Sequence, residues 1–201
     1  MSIELLREYL TTHSLQDLER DHGVGHRISA NGLKATLNYN QINAVDSDPI
    51  ACVCRGLVVA HGGKINEKDV FWSLSILAYP MNRFFNYGQG HNHIDLDTAE
   101  AQEKLDGTCC IVYWDGDAWC VGTRGTPDAD VPISSGLMGT TDLTFRKLFE
   151  MACLETTGRN FDKFCSFLHK DSTYVFELTT PVNTIVVRYP DYRITLLTAR
   201  Y

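Results

Sequence analysis

The sequence of 201 residues has no apolar run long enough to span a membrane. Its longest candidate, VFWSLSILAYPM at 70–81, is interrupted by two serines and a proline, whereas a spanning helix needs about 20 apolar residues. The first ten residues, MSIELLREYL, include Glu4, Arg7 and Glu8, so they are not expected to act as a signal peptide. Internal repeats and low-complexity segments are also absent from the sequence. These absences favour a globular domain.

Cysteine occurs seven times, but its spacing does not indicate a disulfide framework or a zinc site. The number is odd and several cysteines fall within strand-like segments, which favours reduced thiols and a cytoplasmic protein. No Cys-x-x-Cys pair is present, and Cys52-x-Cys54 has the wrong spacing for zinc. We interpret His91-Asn92-His93 as part of an exposed loop, because the residues that give HNH nucleases their name are spread over a longer unit.

Basic residues are in the minority. The chain has 18 Lys and Arg against 25 Asp and Glu, which gives a formal net charge of −7. This balance argues against a protein that coats nucleic acid non-specifically, since such proteins are basic. An enzyme that binds polyphosphate through a few focused cations is still compatible with it.

The sequence does contain a succession of apolar segments with strand-like spacing, bounded by Gly, Pro, Asn and Asp. It predicts strands at 33–39, 55–60 and 70–78, a hairpin at 108–123, and strands at 173–179, 184–189 and 193–199. It predicts helices at 2–11, at 142–156 and at 161–169, a turn at 21–26 and a loop at 124–140. Asp142 is expected to cap the second helix, with Leu143, Leu148 and Met151 on its apolar side. The pattern predicts an α+β fold with mainly antiparallel sheets flanked by helices.

Lys104 stands two residues before Asp106-Gly107, at the start of the predicted hairpin. A lysine becomes a nucleophile when it loses its proton near neutral pH, and neighbouring cations lower its pKa from the usual ~10.4. Such an amine can attack an electrophile such as the α-phosphorus of a nucleotide. The lysine alone would more often be an ordinary surface residue.

Three arginines could supply the neighbouring cations. Arg55, Arg83 and Arg124 each lie at a strand end or beside a glycine, where an arginine suits phosphate binding better than core packing. Glu177 lies within an otherwise apolar strand, and a carboxylate in that setting usually faces a polar pocket or a partner. Together these residues predict a phosphate-handling site.

This set of residues, in this order, resembles the covalent nucleotidyltransferases, which comprise ATP-dependent DNA and RNA ligases and mRNA capping enzymes. Lys104-Leu105-Asp106-Gly107 is similar to their first motif, Lys-x-Asp-Gly. The segments CRGLVV, RFFNYGQG, GTRGT and FELTTPVNTIVV resemble the phage-encoded RNA ligase 1 family in particular. The resemblance runs from about Asn38 to the end of the chain, and it disfavours a capping-type guanylyltransferase.

The resemblance implies a nucleotidyltransferase (ATP-grasp-like) domain, with Lys104 as the adenylated nucleophile and Glu177 as the acidic residue that supports catalysis. The implied ATP-binding residues are Tyr39, Arg55, Arg83, Phe85, Asp106, Gly107 and Arg124. The family has lysines at the positions of Arg83 and Arg124. The implied activity is an ATP- and Mg2+-dependent RNA ligase that joins a 5′-phosphate to a 3′-OH, for example in cleaved tRNA. It would act in the cytoplasm, that of the host if the gene is a phage gene.

One part of the family pattern is absent. The family continues with a Glu-Gly strand and a Lys-x-Lys strand, but this sequence has no glutamate after Glu177 and no lysine after Lys170. The only cations that follow Glu177 are Arg188, Arg193 and Arg200. Residues 1–201 are therefore expected to form a single nucleotidyltransferase domain that lacks its last strands. The alternatives are a ligase completed by a separately encoded C-terminal half and a degenerate nucleotide-binding module without activity of its own.

Overall fold

The computed structural model describes residues 2–60, 75–89, 94–133 and 143–201. Five helices and eight strands occur in these ranges. The helices are α1 (Ser2–Leu10), α2 (Leu15–His22), α3 (Pro49–Val53), α4 (Phe145–Thr157) and α5 (Phe161–Cys165). The strands are β1 (Val24–Ile28), β2 (Lys34–Tyr39), β3 (Arg55–Ala60), β4 (Ile76–Ala78), β5 (Thr108–Trp114), β6 (Trp119–Thr123), β7 (Thr173–Thr179) and β8 (Arg193–Arg200).

The strands form two antiparallel sheets. The first has the order β1-β2-β3-β4 and the second the order β6-β5-β7-β8. The α+β class with mainly antiparallel sheets, predicted from the sequence, is therefore confirmed. Among the described residues no helix is long and apolar enough to cross a membrane. All seven cysteines are free thiols.

The N-terminal helices cover the first sheet. In α1, Leu6 and Leu10 are fully buried because four-residue spacing places them on one side of the helix. The next helix begins with a capping box, in which Ser14 and Asp17 satisfy each other's backbone N–H groups. It ends at Gly23, whose φ of 62° is the left-handed conformation that favours glycine. These helices and the sheet enclose one hydrophobic core.

Helices α4 and α5 cover one face of the second sheet. Thr144 caps α4 by accepting a hydrogen bond from the backbone N–H of Lys147, and Phe149 is fully buried against the sheet. Its ring meets those of Phe161 and Phe176 in edge-to-face geometry, at 6.1 and 5.5 Å between centroids. This core belongs to the second sheet and its helices.

The opposite face of the second sheet packs on the first sheet. A small apolar cluster joins them, with Val58 and Ala78 from the first sheet and Ile111, Tyr113 and Cys120 from the second. A polar contact lies beside it, since Lys34 Nζ on β2 is 2.9 Å from Asp115 Oδ2 and 3.2 Å from Asp128 Oδ1. The two sheets are thus held together by both apolar and ionic contacts.

Several element predictions need correction. Residues 184–189 form a bend and irregular backbone rather than a strand. The backbone N–H groups of Val186 and Val187 donate to the Asp106 side chain instead of a neighbouring strand. The helix predicted at 142–156 begins at Phe145, and Met151 is exposed rather than on its apolar side. The last predicted helix ends at Cys165.

The predictions for the other segments had mixed outcomes. The sequence did not predict α2, α3 or β1, and β1 occupies part of the turn expected at 21–26. The N-cap role of Asp142, the loop residues 134–140, the strand residues 70–74 and the loop at His91–His93 lie outside the described residues.

Candidate functional site

A cavity of about 1140 Å³ lies where the two sheets meet, at the N-terminal end of β5. The first-sheet side contributes Arg55 and the neighbouring segment that carries Phe84. The second-sheet side contributes the turn before β5, the end of β6 and neighbouring positions on β7 and β8. Its charged lining residues are Arg55, Lys104, Arg124, Arg193, Glu103 and Glu177. Four cations therefore face two carboxylates, in a chain whose net charge is −7.

Lys104 is exposed at the mouth of this cavity, and the turn that follows it is fixed by Gly107. The backbone N–H of Gly107 donates a hydrogen bond to Glu177 Oε1 at 2.8 Å. A Cβ atom at position 107 would overlap the carbonyl oxygen of Leu178, so the turn can approach β7 this closely only with glycine. The Lys-x-Asp-Gly segment is thereby attached to the strand that carries Glu177.

Glu177 lies in the middle of β7 and is half-buried. It pairs directly with Cys109 on β5 and with Thr195 on β8. Burial raises the pKa of its carboxyl group, while the Gly107 N–H and the nearby charges of Lys104 and Arg55 oppose that increase. A carboxylate in this position can accept hydrogen bonds from a ligand hydroxyl or stabilise a nearby ammonium group.

Asp106 has a different position from its neighbours in the motif. Its Oδ2 atom accepts hydrogen bonds from the backbone N–H groups of Val186 and Val187, both at 2.7 Å. Its own backbone N–H donates to the hydroxyl of Tyr189 at 3.1 Å. These backbone bonds hold the pKa of the Asp106 carboxyl below its usual value. Asp106 therefore fastens the 184–189 segment to the turn, and it is not among the residues that line the cavity.

Arg55 and Arg124 lie close together across the interface of the two sheets. Gly56, with φ of 82°, follows Arg55, and a Cβ atom there would lie 3.1 Å from the Cα of Arg124. The guanidinium of Arg55 lies 4.8 Å from the centre of the Phe84 ring. The Nε atom of Arg124 is buried and has no hydrogen-bond partner within the described parts of the chain. An unsatisfied buried donor at a cavity wall is a position at which an anionic ligand would be stabilised.

The structure does not bring every predicted site residue to the cavity. Arg83 is buried, pairs with Asp46 at 2.6 Å, and lies between the rings of Tyr39 and Phe85, at 4.5 and 5.0 Å from their centres. The Tyr39 ring also lies near Arg124, whose guanidinium is 5.7 Å from the ring centre. Tyr39, Arg83 and Phe85 are not among the residues that line the cavity.

Sequence reasoning did not single out two residues that line the cavity. Phe84, adjacent to the predicted Phe85, is exposed and faces Arg55. Arg193, at the start of β8, was one of three arginines after Glu177 that the sequence could not distinguish. The three arginines can be told apart only when the register of β8 against β7 is known. Within the described ranges, no group of three or more His, Cys, Asp or Glu side chains is arranged to hold a metal ion.

Comparison with known proteins finds similarity between this chain and proteins named as RNA ligases. No protein-family model matches the chain. Similar curated proteins include an RNA ligase of Rhodothermus phage RM378, 29% identical over 173 residues that cover 73% of this chain and 36% of the phage protein. They also include a protein of Autographa californica nuclear polyhedrosis virus named as a bifunctional polynucleotide kinase/RNA ligase. It is 27% identical over 168 residues that cover 77% of this chain and 22% of the viral protein.

These similarities confirm the relationship to the RNA ligase 1 family that the motifs predicted. The chain spans well under half the length of the curated relatives it matches.

Proposed function

We propose that residues 1–201 act as one nucleotidyltransferase domain of an ATP-dependent RNA ligase, with Lys104 as the residue that becomes bonded to AMP. The observation that carries this proposal is the cavity at the sheet junction. There, exposed Lys104 lines the same cavity as Glu177, Arg55 and Arg124, and Gly107 ties the lysine-bearing turn to Glu177. The relationship to proteins named RNA ligase supports the choice of substrate class.

The residues present fit a nucleoside triphosphate. The cavity of about 1140 Å³ is large enough for a nucleotide, and sites for ligands of drug-like size usually measure about 300–1,000 Å³. Its excess of cations and the unsatisfied Nε of Arg124 suit the triphosphate. Mg2+ would enter bound to the phosphates, since this ion commonly keeps its water and few protein ligands.

In the proposed first step, the Nζ atom of Lys104 attacks the α-phosphorus of ATP. A P–N bond forms, the bond between the α-phosphorus and the bridging oxygen breaks, pyrophosphate leaves, and the amine loses a proton to solvent. Arg55 and Arg124 stabilise the negative charge that builds up on the departing pyrophosphate. Glu177 holds the turn through Gly107 and is placed to attract the lysine ammonium before attack.

In the next steps, the 5′-phosphate of an RNA attacks the phosphorus bonded to Lys104, and the P–N bond breaks. The lysine regains its proton, and the RNA end carries AMP through a pyrophosphate link. A 3′-OH then attacks the 5′-phosphate and AMP leaves, which seals the strand. Cleaved tRNA is one proposed source of such ends.

The covalent step is tested with ATP labelled at the α-phosphate or at the γ-phosphate, in the presence of Mg2+. The chain should keep the α-label and not the γ-label, and the bond should be acid-labile. Lys104→Ala should abolish labelling, whereas Lys163→Ala, an exposed lysine on α5, should keep it. A label that persists in Lys104→Ala would show that the nucleophile has been wrongly assigned.

A second candidate function is a nucleotide-binding module that does not seal RNA. Such a module would use the same cavity and its cations without the attack by Lys104. Calorimetric binding of ATP without covalent labelling would support this candidate. Labelling followed by joining of a 5′-phosphorylated RNA to a 3′-OH end would support the ligase. Replacing ATP with GTP checks that the label requires adenine.

A further inference from the structure

Arg193 is the first residue of β8, and the register of that strand places it beside the Lys104 turn. It pairs directly with Thr179, and Thr195, two residues later, pairs with Glu177. Paired residues on neighbouring strands project to the same face, so Arg193 and Glu177 are diagonal neighbours on the cavity side. Such neighbours have Cβ atoms about 7–8 Å apart, which is within reach of an arginine side chain.

Thr179 connects Arg193 to the turn itself. A Cβ atom at Gly107 would lie 3.0 Å from the Cγ2 atom of Thr179, so this threonine contacts the turn three residues after Lys104. Its strand partner Arg193 therefore projects into the cavity on the same side as the lysine. Both side chains line the cavity, at its second-sheet wall.

Arg193 also has no charge partner of its own. In the part of the chain that the structure describes, it makes no ion pair and no hydrogen bond through its guanidinium, and it is exposed to the cavity. A guanidinium without an ion-pair partner, in the same cavity as two further arginines, raises the local positive potential in an otherwise acidic protein. This arrangement favours a bound anion.

The other two arginines after Glu177 are placed elsewhere. Arg200, at the opposite end of β8, donates a hydrogen bond to Asn82 Oδ1 at 3.2 Å. Its guanidinium lies 4.0 Å from the centre of the Tyr79 ring. It lines a separate cavity of about 510 Å³. Arg188 lies in the exposed 184–189 segment and does not line the Lys104 cavity. Strand position thus separates three residues that look equivalent in the sequence.

We propose that Arg193 binds the phosphate group that Lys104 attacks, and so supplies the cation that stabilises the charge developing at that phosphorus. This inference rests on the proposed nucleotidyl transfer, and it assigns to β8 a part of the site that the motifs do not include. A guanidinium can hold two oxygens of one phosphate through parallel N–H groups. Arg55 and Arg124, at the sheet junction, are then left for the more distant phosphates.

The test compares ligand affinities of the 201-residue chain and its variants by isothermal titration calorimetry. Arg193→Ala should weaken binding of both ATP and AMP about 10- to 100-fold, the effect of losing one charged hydrogen-bonding group, and should leave adenosine binding unchanged. Arg193→Lys should recover part of the loss, because it keeps the charge and loses the bidentate geometry. Arg200→Ala and Arg188→Ala are the matched controls, and both should bind ATP like the unmodified chain.

The possible outcomes separate this inference from the proposed function. Weaker ATP binding with unchanged AMP binding in Arg193→Ala would overturn the assignment to the attacked phosphate. Equal losses in Arg193→Ala and Arg200→Ala would overturn any site-specific role. Inorganic tripolyphosphate serves as a ligand without a nucleoside, and Arg193→Ala should weaken its binding as well. Suppose that Arg193→Ala weakens tripolyphosphate binding, while the unmodified chain binds ATP no more tightly than tripolyphosphate and is not labelled at Lys104. The anion site is then supported and the proposed nucleotidyl transfer is contradicted.

Discussion

At the scale of single residues, Gly107 is a position that does not tolerate a side chain. Its hydrogen bond to Glu177 and its close approach to Leu178 leave no room for a side chain. The Asp-Gly pair marked this turn in the sequence, but the reason for the glycine is a contact with a strand 70 residues away. That contact could not be read from local spacing.

Gly107→Ala is expected to lower the free energy of unfolding by about 1–3 kcal/mol, because the added methyl group forces β7 and the turn apart. It should also reduce nucleotide labelling, since Lys104 moves with the turn. Urea denaturation measures the first effect. The control is Gly125→Ala in the same cavity wall, where an added Cβ atom meets no described atom within 4 Å. Equal stability of the two variants would contradict the steric argument.

The raised pKa of Glu177 gives a pH dependence with a definite sign. Since burial raises the pKa in the folded state, folding favours the protonated carboxyl group, and this contribution is present below the pKa of the unfolded chain. It is lost as the pH rises through the folded-state pKa. Relative to Glu177→Gln, the unmodified chain should lose stability between about pH 4 and the folded-state pKa. Denaturation curves across this range measure the difference, and a relative gain in stability with pH would contradict it.

At the scale of secondary structure, the strands with buried alternate or continuous apolar residues were predicted within a residue or two. Residues 33–39, 55–60, 173–179 and 193–199 correspond to β2, β3, β7 and β8. The short elements α2, α3 and β1 were missed because eight or fewer residues show little periodicity. Likewise, the Arg83–Asp46 ion pair joins distant segments, so the sequence could suggest a phosphate role for Arg83 but not its buried partner.

The 184–189 segment shows how a side chain can override strand propensity. Ile185, Val186 and Val187 are β-branched, which predicts a strand, yet all three are exposed. The carboxylate of Asp106 accepts hydrogen bonds from the backbone N–H groups of Val186 and Val187, in place of carbonyl groups of a neighbouring strand. The 184–189 segment is therefore attached to the Lys-x-Asp-Gly turn through the side chain of Asp106.

Asp106→Ala should accelerate amide hydrogen exchange at Val186 and Val187, because both N–H groups lose their acceptor. Lowering the pH should likewise reduce the protection of these two amides relative to their intrinsic exchange rates. The depressed pKa of Asp106 means that its stabilising contribution is present above the unfolded-state pKa and is lost as the pH falls through the folded-state pKa. Exchange measured residue by residue provides the test, with Asp117→Ala in the exposed hairpin turn as the control. Unchanged exchange at both amides would show that the segment is held by other contacts.

At the scale of the whole molecule, Lys34 forms a polar link between the two sheets. Its ammonium lies in a largely buried position between Asp115 and Asp128, 3.2 Å from the Cys120 thiol. Burial opposes the charge, but the neighbouring Tyr113, Asp115 and Cys120 side chains raise the pKa of Lys34, so the ammonium stays charged. Neither partner could be inferred from the sequence, because Lys34 and Asp115 are 81 positions apart.

Lys34→Met should destabilise the protein by about 3 kcal/mol, the lower end for breaking a buried ion pair, because Asp115 and Asp128 are left without their cation. Urea denaturation gives the magnitude. Arg27→Met is a suitable control, since Arg27 is exposed on β1 of the same sheet and forms no ion pair within the described ranges. A loss of the same size in Arg27→Met would mean that removing any cation from this sheet has that effect.

The Lys104 cavity has walls from both sheets, with Arg55 on one and Lys104 and Arg193 on the other. A ligand that touches both walls can bind tightly only while the sheets keep their relative position. By mass action it would therefore favour the docked arrangement, by about 2.7 kcal/mol at a free concentration one hundred times its dissociation constant. The occupant of the cavity would thus act as a removable clamp between the two halves of the fold, and opening of the sheet junction and release of the ligand would be one coupled event.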